Sequence, residues 1–320
     1  MLDWVQIINK IIQVKRVAIV SHISPDGDAI GSSLALYHAL MRMDKQADIY
    51  MQDDIGSSFT FLEGSQTVLH QWNGQKYDVC ITIDCSELHR TGHLIELFKN
   101  TEFTINIDHH LGSNEYANLN YINEKASSTG EIVYDFIEEL QVEIDKKIAE
   151  CLYVAIATDT GGFRYGCTTS KSFEIAAELL KTGIDINEIS LRVFDQMSKK
   201  KAILMSAAID SMEMFADERI STICLDYDKI SAINPNVEDF DSIINIPRNI
   251  IGVEIAIFIT EKTQNEVKAS FRSNTEIDVN EIAGVFGGGG HKRAAGCVFK
   301  NMKVIEVKNL LVQETIKRLK

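Results

Sequence analysis

In the first half of this 320-residue chain, apolar runs end one after another in an aspartate or a histidine. The run Arg16–Ser21 leads into His22-Ile23-Ser24-Pro25-Asp26-Gly27-Asp28-Ala29-Ile30-Gly31. Val79–Ile83 leads into Asp84, residues 103–107 into Asp108-His109-His110, and residues 153–158 into Asp159. Ionisable side chains at the ends of buried segments are costly unless something pairs with them. Apolar runs separated by amphipathic segments form the βαβ pattern of a parallel sheet, whose ligands gather beyond the carboxyl ends of the strands. The four places are therefore expected to converge, with all four treated as strand ends.

Strands are expected at 16–21, 47–51, 77–83 and 103–107. A helix should run from about 29 to 43, where Ile30, Leu34, Tyr37 and Met41 recur at helical spacing. Two more helices are expected at 128–141 and 146–158, the second overlapping the run before Asp159. Ser128 followed by Glu131 has the form of a capping box. Residues 187–215 read as helical. Beyond them, strands are expected at 219–225, 254–260 and 266–272, the last two as a hairpin. A helix at 279–286 then runs into four glycines, and another at 304–319 closes the chain. The fold class is α/β: an N-terminal, mainly parallel sheet flanked by helices, then a smaller α+β domain. The expected organisation is a catalytic domain at 1–186, a helical connector at 187–217 and a second domain at 218–320.

With a formal charge of −14, the chain is a poor binder of long duplex nucleic acid, whose affinity rests on many Lys and Arg contacts to phosphate. A small phosphorylated substrate stays compatible with that charge, because bound cations would cancel carboxylates locally. No apolar run approaches the roughly 18–20 residues that span a bilayer. The first residues lack the basic region and cleavage site of a signal peptide and read as an amphipathic helix. Six cysteines without a CxxC pair read as reduced thiols, so a cytoplasmic location and no membrane partner are expected. A homodimer is compatible with the sequence.

Each motif has a bland reading when taken alone. Asp-Gly-Asp is a common turn, and an aspartate after a strand can cap the next helix. Together they supply six hard donors, His22, Asp26, Asp28, Asp84, His109 and Asp159. That is too many for one open ion and suits two ions sharing a carboxylate, an arrangement matched to displacement at phosphorus. Carboxylate and imidazole without thiolate favour Mn(II), with Mg(II) as the second choice.

The second constellation is Gly287-Gly288-Gly289-Gly290-His291-Lys292-Arg293. One glycine would suffice to end a helix, whereas four with a basic triplet favour close backbone approach to an anion. Arg272, in Ser270-Phe271-Arg272, is the expected bidentate phosphate clamp. Arg164 either leans into the site or is an ordinary surface arginine. Ser127-Ser128-Thr129 precedes a helix and reads as a cap in preference to an anion site.

The Asp108-His109-His110 triplet, with the His22/Asp26/Asp28 loop, Asp84 and Asp159, resembles the DHH phosphoesterase superfamily. That superfamily includes RecJ exonucleases, family II pyrophosphatases, exopolyphosphatases and nanoRNases. The glycine-rich segment resembles the signature of the DHH-associated domain. The order and spacing of the two halves are similar to the nanoRNase/pAp-phosphatase (NrnA-like) branch. The resemblance implies that His22 and Asp26 hold one Mn(II), that Asp28, His109 and Asp159 hold the other, and that Asp84 bridges. It places His110 beside the metals as a proton or hydrogen-bond donor. Asp108 either orients a histidine or caps its strand. It also implies that Ser270, Arg272, Gly288, Gly289, Gly290, His291, Lys292 and Arg293 line a cleft between the domains and hold the substrate. The implied substrates are short RNA, linear dinucleotides such as pApA, and 3′-phosphoadenosine 5′-phosphate. The alternatives are pyrophosphate or polyphosphate hydrolysis and a RecJ-like single-strand exonuclease. The glycine-rich loop weighs against the first and the acidic charge against the second.

Overall fold

The structure is a computed structural model that describes residues 4–319. Met1, Leu2 and Asp3, which the sequence reading includes in the first helix, lie outside the described residues. The chain divides into two compact units between Gln196 and Met197.

The first unit opens with α1 (Val5–Gln13), β1 (Arg16–Ser21), α2 (Gly27–Arg42) and β2 (Gln46–Tyr50). It continues through β3 (Val79–Ile83), α3 (Ile95–Lys99), β4 (Thr104–Asp108) and β5 (Leu119–Ile122). Four helices follow: α4 (Thr129–Glu139), α5 (Lys146–Asp159), α6 (Ser170–Leu180) and α7 (Ile186–Ser190). The five strands pair in parallel in the order β2-β1-β3-β4-β5. Alternation along β1 sends Val17 and Ile19 into the main core, which includes residues of α1, α2, α4 and α5, and Ala18 and Val20 into a smaller cluster around Leu94, Leu97 and Phe98. Strand β5 was not expected. Trp4 stacks on its Tyr121 at 3.5 Å between ring centroids and on Phe136 of α4 at 4.6 Å.

The strand order reverses direction between β1 and β3, the switch point where open α/β sheets bind ligands. Ser21 lies opposite Ile83 there, so His22 and Asp84 leave the sheet as neighbours. Asp159 is the exception to the strand-end expectation, because 153–158 belongs to α5 and Asp159 ends a helix. Short apolar runs do not separate helix from strand by periodicity. Glycine lets α5 lie close to α2. A Cβ at Gly31 would stand 2.4 Å from the Cys151 carbonyl oxygen and 2.9 Å from the Ala155 amide nitrogen. Gly31→Ala is expected to cost about 1–3 kcal/mol by overpacking. Thermal unfolding checks this, and an unchanged midpoint would rule out so close a contact.

The second unit contains α8 (Lys199–Asp210), β6 (Glu213–Phe215), β7 (Ile220–Leu225), α9 (Tyr227–Ile233) and α10 (Asn245–Arg248). It ends with β8 (Ile255–Thr263), β9 (Glu266–Ser273), α11 (Val279–Val285), β10 (Gly289–His291), β11 (Ala294–Lys300) and α12 (Val304–Ile316). Its six strands form a mixed sheet in the order β10-β11-β9-β8-β7-β6, with β7 and β8 parallel. The helical stretch expected over 187–215 forms as α7, a π-helical turn at Leu191–Asp195 and α8, but its end is strand β6. The segment read as a glycine-rich loop contains strand β10. No helix among the described residues is long and apolar enough to cross a membrane.

Candidate metal centre

The loop after β1 turns directly into α2, and Asp26 is the N-cap. Its carboxylate accepts the amides of Asp28 at 3.1 Å and Ala29 at 3.0 Å. The capping reading and the site reading are thus both satisfied by one residue, because Asp26 Oδ1 also lies 4.0 Å from His22 Nε2. His22 Nδ1 donates to the Ile23 carbonyl at 2.8 Å. A carbonyl can only accept, so Nδ1 carries a proton, and Nε2 is the nitrogen that faces into the site, 3.5 Å from Asp84 Oδ2.

Asp84 adopts φ +57°, a left-handed backbone that costs a side-chain-bearing residue on the order of 1 kcal/mol. The turn aims its two oxygens in different directions. Oδ2 faces His22, whereas Oδ1 lies 3.7 Å from His109 Nε2 and 3.5 Å from His110 Nδ1. His109 Nε2 also stands 3.3 Å from Asp159 Oδ2 and 3.7 Å from Asp28 Oδ2. The result is two distinct donor sets, His22/Asp26/Asp84 and Asp28/His109/Asp159, with a third grouping of Asp84, His109 and His110 overlapping them.

Neighbours not singled out for these roles hold the carboxylates. Asp28 accepts the backbone amides of Thr129 at 2.7 Å and Gly130 at 2.8 Å, together with the Ser32 hydroxyl at 3.0 Å. The N-terminus of α4 thus does bind an anion, and the anion is this chain's own carboxylate. The Thr129 hydroxyl donates to Asp84 Oδ1 at 2.9 Å. Ser128 caps α4 through the Glu131 amide, but the Glu131 carboxylate turns to Ser127, accepting its amide at 3.2 Å and its hydroxyl at 2.8 Å. Behind Asp84, Tyr116 Oη lies 2.7 Å from the Cys85 carbonyl and 2.9 Å from the Thr82 hydroxyl, bracing the turn. The contacts of Thr129, Gly130 and Tyr116 have no sequence signature, because each depends on a distant segment arriving beside the site.

The electrostatics record a shortage of positive charge. Burial, with the charges of Asp84, Asp159 and Asp26, pushes the Asp28 carboxyl well above the ordinary range. Burial likewise raises Asp159 to about 6, partly opposed by His109 and reinforced by Asp84 and Asp26. Burial also acts to raise Asp84, but hydrogen bonding from His22 and the nearby imidazoles outweigh it, and its carboxyl is lowered. Crowded carboxylates that repel one another fit hard divalent cations, as does a donor set free of thiolate.

Asp108 is fully buried and accepts from His110 Nδ1 at 2.8 Å, so the histidine it orients is His110. That bond, against the opposing effect of burial, holds the His110 pKa up at about 9. Arg164 folds back onto its own turn, where Nε donates to the Gly161 carbonyl at 2.6 Å.

In the second unit, the ladders place Arg272 opposite Ala256 on one side and Ala294 on the other, with His291 beyond Ala294. Ser270 stands opposite Gly296, which faces Gly289. Arg272, Ser270, His291 and Gly289 therefore share one face of the sheet. Two of the four glycines serve the packing of the fold itself. A Cβ on Gly288 would sit 2.2 Å from the Gly296 carbonyl oxygen, and one on Gly290 would sit 2.4 Å from that of Ala294. Lys292 and Arg293 both pair with Glu276, at 2.5 and 3.0 Å.

Comparison with known proteins agrees with this architecture. The family model for the DHH family, N-terminal domain, matches residues 16–156, and that for the DHHA1 domain matches residues 229–320. The chain is 33% identical over 290 residues to the bifunctional oligoribonuclease and PAP phosphatase NrnA of Thermus thermophilus, covering 89% of this chain and 84% of that protein. It is 29% identical over 310 residues to the probable bifunctional oligoribonuclease and PAP phosphatase NrnA of Streptococcus mutans, covering 95% and 98%. Among solved structures, an exopolyphosphatase-related protein from Bacteroides fragilis superposes with a TM-score of 0.90 at 29% identity, covering 98% of this chain and 95% of that one.

Proposed function

The chain belongs to the DHH family, and from that premise we propose that it is a two-metal phosphoesterase acting on very short nucleotides. It degrades short oligoribonucleotides, linear dinucleotides such as pApA included, to mononucleotides. It also removes the 3′-phosphate of 3′-phosphoadenosine 5′-phosphate to leave AMP. The observation that carries this reading is Asp84, whose two oxygens face two separate donor sets.

In this proposal His22 and Asp26 would hold one ion and Asp28, His109 and Asp159 the second, with Asp84 facing both donor sets. Mn(II) is the preferred ion and Mg(II) the alternative. When bound, the ions supply Lewis-acid charge to a phosphoryl oxygen and acidify water. The chain's own residues supply the rest. Asp108 fixes the His110 ring so that a protonated imidazole reaches the leaving or non-bridging oxygen. Arg272, Ser270, His291 and the backbone at Gly289 receive the substrate's terminal phosphate and base. Lys292 and Arg293, tied to Glu276, and Gly288 and Gly290, tied to the hairpin, shape that surface.

The test is Mn(II)-dependent turnover of pApA, 3′-phosphoadenosine 5′-phosphate and pyrophosphate by the purified chain. Release from both nucleotides, with pyrophosphate much slower, is expected. Turnover of pyrophosphate alone would overturn the assignment.

A further inference from the structure

Resting on the short-nucleotide reading above, we infer that Arg248 is a specificity-determining residue, forming with Arg272 a two-guanidinium clamp for a terminal phosphomonoester. The sheet of the second unit creates the place for it. Its inner face packs Ile255, Ile257, Val267, Ala269 and Phe271 into one core. On the other face, residues from α8, α9 and the segment leading into α10 close over Ile223, Leu225, Ala256 and Phe258. That second cluster ends at β8. On β9 the same face carries Lys268, Ser270 and Arg272, exposed or half-buried.

Arg272 rises there between two alanines, Ala256 and Ala294, which leave space on both sides of its side chain. The C-terminal end of α10 is pinned beside it. Asn274, two residues beyond Arg272, donates its side-chain amide to the Arg248 carbonyl at 2.7 Å and to the Val253 carbonyl at 3.0 Å. The Asn274 backbone amide is fixed to Glu254 at 2.9 Å. Two half-buried arginines are thereby held next to each other. Burial and the Arg248 charge both lower the pKa of the Arg272 guanidinium.

Among the described residues, neither arginine meets a carboxylate. Arg272 Nη1 donates to the Phe271 carbonyl at 2.9 Å, and Arg248 Nε makes only a 3.4 Å contact with Asn249 Oδ1. Lys292 and Arg293, by contrast, are neutralised by Glu276 and Arg219 by Glu254. Adjacent like charges without a counter-charge repel, and a dianion relieves that repulsion. A terminal phosphomonoester carries close to two negative charges at neutral pH and presents several oxygens to two guanidinium forks. An internal phosphodiester carries one charge and fewer free oxygens, so the pair distinguishes a phosphorylated end from a bare one.

The test compares Arg248→Gln and Arg248→Lys with the wild type on pApA and on ApA, which lacks the terminal phosphate. A parallel arm measures AMP and adenosine binding to the metal-free chain by calorimetry. Charge-assisted hydrogen bonds of this kind lead us to expect about a ten- to hundred-fold higher KM for pApA in Arg248→Gln, with kcat nearly unchanged. ApA kinetics should not move, AMP affinity should fall while adenosine binding stays the same, and Arg248→Lys should recover part of the loss. Equal effects on pApA and ApA, or unchanged AMP affinity, would overturn the clamp. If the wild type hydrolyses neither dinucleotide while Arg248→Gln still weakens AMP selectively, the clamp stands and the functional reading falls.

Discussion

Asp84→Asn is expected to lower turnover of pApA by about 10³-fold while leaving the fold intact. The amide keeps the size of the side chain, the acceptor for Thr129 and a residue type that tolerates the left-handed turn. What it removes is the negative charge shared by the two donor sets. Losing metal-derived stabilisation on the order of 4 kcal/mol corresponds to that factor in rate. Calorimetric titration with Mn(II) should show weakened binding at both ions, because Oδ1 and Oδ2 face different histidines. Circular dichroism and thermal unfolding provide the control. An Asp84→Asn protein with full turnover would remove the basis for a shared carboxylate. Asp159→Asn makes the contrast, since that carboxylate belongs to one donor set and should weaken one ion selectively.

Asp84 was legible in the sequence because a charged residue after a mainly apolar run demands a partner. The same logic found His22, Asp28 and His109, and the βαβ alternation predicted the parallel sheet that brings them together. Asp159 was found for an incomplete reason. Its apolar run proved to be the last turns of α5, and convergence came from helix packing, with Gly31 and Gly130 permitting close approach to α5. A Cβ on Gly130 would lie 2.5 Å from that of Ala155, so this glycine brings the start of α4 against α5. Asp28, in turn, docks on that same helix start.

What stayed hidden depends on contacts across long sequence separations. Thr129 reads as one more residue of a capping segment, and only the fold brings its hydroxyl to Asp84, 45 positions away. Glu276 neutralises Lys292 and Arg293 across the intervening α11 and β10, a pairing that no local pattern announces. Strand β10 was missed because glycine carries no β-propensity, and its pairing is enforced by neighbours that leave no room for a Cβ. Strand β6 was read as a continuation of α8 because three residues are too few to show a period.

His110→Gln is expected to lower kcat by about 10²–10³-fold, in the range of a lost general acid, while leaving KM and Mn(II) affinity nearly unchanged. The three site histidines are not equivalent. The side chains of His22 and His109 are 5% and 15% exposed, whereas that of His110 is 37% exposed. The two less exposed rings aim Nε2 at carboxylates, which is how a ligand is presented. His110 instead commits Nδ1 to Asp108, leaving its other nitrogen free to act on substrate. Asp108→Asn should therefore reproduce part of the kcat loss, about ten- to a hundred-fold, through a misoriented ring. His109→Gln is the discriminating comparison, because it should lose Mn(II) affinity as well as rate. If His110→Gln lost affinity to the same extent, the grouping of Asp84, His109 and His110 would be a true ligand set, and the proton donor would have to be sought elsewhere.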